Sequence, residues 1–206
     1  MIVYGVYSDY HVSENALKTF VYAEGIAALL AGKSTIPQGI FYQGQKKASN
    51  WAPPAIEWYD DDGRNLDKYK DPDITYCTPG SFILGPRAAE LLRPVISDAA
   101  ELLPIPFQGE TWYFMNVFHQ IDAVDKAKSR YKIYQSGKVG PVEKIVFSPE
   151  KIPHAKLFTI PESHTELFYA EHHPDTNPDT FKNVVEQNKL FGIVIEKMWE
   201  NGFHSF

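Results

Sequence analysis

Short runs of β-branched and aromatic residues recur along this chain, separated by clusters of Gly, Pro, Asn and Asp, the spacing of strands joined by turns. Residues 2–7 (IVYGVY) read as an opening strand, and residues 24–30 as a short helix. From 34 to 73 the chain is rich in Pro, Gly, Gln and Asp, which predicts loop with short strands. Phe82-Ile83-Leu84 leads into Gly85-Pro86, and proline at a first helical position predicts a helix over 87–92 that ends before Pro94. Two hairpins follow, 102–107 with 111–119 across Gln108-Gly109-Glu110, and 130–135 with 142–148 across Ser136-Gly137-Lys138. The second alternates apolar with polar residues, as half-buried strands do. Residues 156–160, 166–170 and 191–196 are further strands, and Phe181, Val184, Val185 and Leu190 mark a helical stripe over 178–190. The expected fold class is α+β, a mainly antiparallel sheet built of hairpins with a few packed helices. The expected organisation is a loop-rich N-terminal part, 1–75, packed on an α+β domain at 76–206.

Composition sharpens this. Hydrophobic residues make up 44% and charged residues 22%, with 13 Phe, 12 Tyr and 4 Trp, far from the composition of a disordered chain. The longest apolar run, 25–32 (GIAALLAG), is too short to span a bilayer, so no membrane helix is expected. The start, MIVYGVYSDYH, lacks the basic head and apolar middle of a secretory signal, and Cys77 is the single cysteine, so a cytoplasmic location is the expectation.

Few motifs point to catalysis. Residues 27–34 (AALLAGKS) spell a relaxed phosphate loop, but the residues before it read as helix and Pro37 interrupts the helix that must follow. His164, His172 and His173 stand near Glu171, Asp175 and Asp179, which is ligand chemistry without a spacing that builds a tetrahedron. A metal-dependent enzyme using 164–179 is the alternative reading, against a solvated polar loop. Cys77 with His119 or His11 is the bare minimum for thiol catalysis, and Thr78-Pro79-Gly80 after it supplies no helix N-terminus. No catalytic residue, metal site or cofactor is assigned. Trp112 and Phe114 belong to a core strand, whereas Trp51 and Trp58, set among prolines and acids, suit an exposed interface.

Charge is distributed unevenly. The net −6 includes seven acids against three bases over 57–73 and six acids against Lys182 over 162–186, while 126–156 carries eight bases against Glu143 and Glu150. The basic residues are spread singly along strands without a recognition helix or aromatic RNA-binding signature, so no nucleic-acid partner is expected.

From Tyr76 onward the order of features has a counterpart. Phe82-Ile83-Leu84-Gly85-Pro86-Arg87, then Leu91-Leu92, then Glu101-Leu102-Leu103-Pro104-Ile105 precede Trp112-Tyr113-Phe114-Met115-Asn116-Val117 and the turn Ile121-Asp122-Ala123-Val124-Asp125 with Ser129. Phe147 to Lys151, Leu157 to Pro161, Phe181-Lys182 and Leu190 to Ile193 close the series. This stretch resembles polymorphic-toxin immunity protein family eleven. The resemblance implies a cytoplasmic antitoxin, without catalysis, that binds a cognate secreted toxin and occludes its active site or an essential surface. Toxins of this kind are often basic, and against a nuclease-type effector the acids imitate phosphate charge. The expected toxin-binding residues are Trp58, Asp60, Asp61, Asp62, Asp71 and Asp73, with Glu171, Asp175 and Asp179.

Overall fold

A computed structural model describes residues 1–9, 18–22, 44–59, 71–76, 82–153, 156–171 and 179–200. Among these are twelve strands: β1 (Ile2–Ser8), β2 (Phe20–Tyr22), β3 (Ile56–Trp58), β4 (Ile74–Tyr76), β5 (Phe82–Leu84), β6 (Ala100–Phe107), β7 (Glu110–Val117), β8 (Arg130–Ile133), β9 (Val139–Lys144), β10 (Leu157–Ile160), β11 (Ser163–Glu171) and β12 (Ile193–Glu200). Two α-helices accompany them, α1 (Pro86–Ile96) and α2 (Phe181–Gln187). All strand pairs are antiparallel, in two four-stranded sheets, β10-β11-β1-β12 and β4-β5-β7-β6, and two ribbons, β2-β3 and β8-β9. The fold is α+β and mostly sheet. The helix expected over 24–30 lies outside the described residues.

Each four-stranded sheet is covered on both faces, which explains why its strands read as nearly continuous apolar runs. In β5, Phe82 and Leu84 enter one core while Ile83 enters another; in β11, Leu167 and Tyr169 part in the same way from Phe168 and Ala170. The shared core lies between the sheets and the helices, with Ala88, Leu92 and Ile96 of α1 and Phe181 and Val185 of α2. The outer face of the β4-β5-β7-β6 sheet packs Trp112, Phe114 and Ile105 under Phe20 and Ile56 of the β2-β3 ribbon. The outer face of the other sheet packs Val3, Phe158 and Trp199 against Ala123, Val124 and Phe147. Strand β1, from the N-terminal part of the chain, is interior, between β11 and β12.

Two expectations require correction. Helix α1 runs through Pro94 to Ile96 instead of stopping at Leu92. Proline removes one hydrogen bond there, to the carbonyl of exposed Glu90, while the stripe Ala88, Leu92, Ile96 stays fully buried. The 130–144 hairpin is half-buried only toward its base, at Tyr131 and Val142; near its turn Ile133 is 63% and Val139 60% exposed. The β6-β7 hairpin turns tightly on Gln108 and Gly109, both at positive φ (48° and 83°), the pairing a two-residue primed turn demands.

Candidate functional site

Trp58 ends β3, a three-residue strand whose alternation places Ile56 and Trp58 toward the sheet below. Its ring stacks on Phe20 at 4.0 Å and meets Phe107 and Trp112 edge-on at 5.3 and 5.6 Å. Trp58 is therefore half-buried, the outer layer of an aromatic stack. Lys18 joins it to Asp71: its ammonium stands 5.6 Å from the Trp58 ring and 2.7 Å from Asp71 Oδ1. The Asp71 side chain is 67% exposed while that of Lys18 is largely covered, so the carboxylate end of this ion pair is open to water and the pair binds weakly.

Asp73 has a different environment. One carboxylate oxygen pairs with Arg87 Nη1 at 2.9 Å, the other accepts the Phe191 N–H at 3.0 Å, and its backbone carbonyl accepts the Gly85 N–H at 2.8 Å. Arg87 Nη2 donates to the Asn188 carbonyl at 2.7 Å. One side chain thereby ties β4 to the start of α1 and to the segment between α2 and β12. Gly192 allows the close approach: its φ is +116°, and a Cβ there would overlap the Ile74 carbonyl.

Glu171 closes β11, where it accepts a hydrogen bond from the Tyr4 hydroxyl at 3.0 Å. Burial, and then this carboxylate, push the Tyr4 hydroxyl well above the usual tyrosine range. Lys182 of α2 stands 5.6 Å over the Tyr4 ring and pairs with Glu186 at 2.8 Å. Asp179 is exposed just before α2. Asp73 is thus held at the segment between α2 and β12, and Glu171 shares Tyr4 with Lys182 of α2, while Trp58 and Asp71 share Lys18. Asp60, Asp61, Asp62 and Asp175 lie outside the described residues, as do Cys77, His11, His172, His173 and the 27–34 segment. Among the described residues no three His, Cys, Asp or Glu side chains gather as a metal-binding group.

Two surface features escaped the sequence reading. A cleft of about 470 Å³ opens between α1 and the start of β7, with Glu90, Arg93, Glu110 and Thr111 around it and the Arg93 guanidinium 5.1 Å over the Tyr113 ring. The β8-β9 ribbon presents Ile133, Val139 and Tyr134, the last 42% exposed. Its strand alternation looks like that of any amphipathic strand, and the signal that singles it out is the run of Lys and Arg on both sides of its turn.

A model of the Immunity protein family (Imm11) matches residues 62–200. The chain belongs to this family. The match takes in β4 to β12 with both α-helices, and with them Asp71, Asp73, Glu171 and Asp179; Trp58 precedes it. A search of curated proteins finds no match to the chain. Among the described residues of this Imm11 member, no helix is long and apolar enough to cross a membrane.

Proposed function

We propose that the chain is a bacterial immunity protein that binds a cognate secreted toxin directly and neutralises it in the cytoplasm, covering its active site or an essential surface. Membership of the immunity family over residues 62–200 carries this reading. The protein acts by binding and not by catalysis. Two acidic surfaces face the toxin: Trp58 with Asp60, Asp61, Asp62 and Asp71, and Glu171 with Asp175 and Asp179; Asp73, engaged by Arg87 and the Phe191 N–H, serves the fold beside the first. The exposure of the Asp71 and Asp179 side chains supports the assignment, and so does the excess of acid over base around each surface. Such charge steers association with a basic, nuclease-type effector more than it adds affinity.

Co-expression tests this. The adjacent upstream gene, induced alone, should arrest growth; induced with this protein it should not, and the two products should co-purify. Reversing the charge at Asp71 together with Asp60, Asp61 and Asp62, or at Asp175 and Asp179, should slow association and flatten its salt dependence. A toxic neighbour that kills equally in the presence of this protein removes the pairing, and unaltered association in both variants removes the acidic surfaces.

A further inference from the structure

We infer that the β8-β9 hairpin, residues 130–144, is a docking arm that seats on an apolar hollow ringed by carboxylates on the partner protein. The inference deepens the immunity reading and rests on it. Two strands alone are marginal in water, and a ribbon of this size is expected to pack one face on a core. Among the described residues β8 and β9 pair only with each other. Tyr131 and Val142, opposite one another at the base, are half-buried, whereas Ile133 and Val139, opposite one another near the turn, are 63% and 60% exposed. Tyr134, also exposed, lays its ring over Gly140, with Lys132 Nζ 5.3 Å from the ring centroid. Three of the four large hydrophobic side chains exposed among the described residues therefore stand within seven positions of each other.

Charge identifies the occupant. Arg130, Lys132, Lys138 and Lys144 outnumber Glu143, which pairs with Arg130 at 3.3 Å. A second copy would bring the same cations together, so self-association through this arm is opposed by its own charge, while an acidic partner surface is favoured. Strand addition along the edges is also opposed: Pro141 removes a donor from β9, and β8 is four residues long with Lys132 in it. What the arm offers is the apolar pair near its turn, surrounded by cations, the pattern of an anchor inside a charged rim. The aliphatic pair Ile133 and Val139 offers a base neither a stacking ring nor a hydrogen-bond partner, which favours protein over nucleic acid.

The test uses the full chain and the toxic product of the adjacent gene, with its catalytic activity disabled by mutation so that it can be purified. Ile133→Thr with Val139→Thr keeps strand-forming residues, and Ile133→Asp with Val139→Asp adds charge; both leave the buried positions intact, so melting temperature and near-UV dichroism should be unchanged. Removing a central apolar anchor should weaken Kd at least about tenfold. Lys132→Glu with Lys138→Glu should slow association and reduce its salt sensitivity. Wild-type binding matched within about twofold by all three variants overturns the arm and leaves the immunity reading standing, since about tenfold is the least a central anchor supplies. Wild type that neither rescues nor binds overturns both. Tight binding of a single-stranded oligonucleotide by the wild type, lost in the lysine variant and kept in the Thr variant, overturns the protein partner.

Discussion

At the scale of single residues, the side chains with unusual environments hold the structure together. Asn116 is fully buried on β7; its amide donates to the Gln45 carbonyl at 2.9 Å and to Glu101 at 2.7 Å, while Glu101 also accepts the Lys47 N–H, so residues 45–47 are fastened onto the β6-β7 hairpin. His119, just after β7, is half-buried with Nδ1 buried and unpartnered. Burial first and the Lys156 ammonium second hold its pKa below the ordinary histidine value, with Asp98 opposing. The unfolded chain therefore binds the proton more readily than the folded one. This contribution to stability is complete above the unfolded value, near pH 6.5, and is lost as pH falls through the lower folded value. Thermal melts between pH 8 and 5 should show the loss, and His119→Gln should reduce the slope in that window; an unchanged slope would show that other groups produce it.

At the scale of elements, Asp71 and Asp73 look alike in sequence and differ in what they hold. Asp73 joins β4, α1 and the α2-β12 connection through a half-exposed Arg87 and a backbone N–H, whereas Asp71, itself largely in solvent, meets one lysine. Asp73→Ala removes the acceptor of the Phe191 N–H and of Arg87 Nη1 and should cost about 1–3 kcal/mol, while Asp71→Ala should cost less than about 1. Urea denaturation of both variants checks this, and equal losses would contradict the distinction. Strands with two apolar faces, such as 82–84, 157–160 and 166–170, are legible in the sequence because burial on both sides forces unbroken apolar runs. The end of α1 was not legible, because Pro94 is a local stop signal that the long-range burial of Ile96 outweighs. The exposure of the 130–144 ribbon was not legible either, since alternation states which residues share a face and not whether anything covers that face. The candidate acids were legible as charge clusters, but nothing in a cluster distinguishes Asp73, which is occupied internally, from Asp71.

At the scale of the whole molecule, the first strand and the last share one sheet. Val3 pairs with Ala170 of β11 and Trp199 of β12, and Val6 with Leu167 and Ile195. Val3 and Val6 lie on opposite faces, at 0% and 3% exposure, so β1 contributes to both cores that border this sheet. Without it, β11 and β12 each present an open edge, and the apolar side chains on both faces lose a neighbour. A fragment beginning at residue 76 also lacks the β2-β3 ribbon that covers Trp112 and Phe114. We therefore expect residues 76–206 alone to lose the cooperative unfolding transition and near-UV dichroism of the full chain, although they hold most of the family match. A fragment that melts cooperatively with native aromatic dichroism would show the opposite, that the C-terminal part carries a self-sufficient core and the N-terminal strand only adds to it. The same comparison bears on toxin binding: if the two cores depend on β1, shortening the chain by residues 1–9 should abolish protection even though no acid of either surface and no residue of the 130–144 arm is removed.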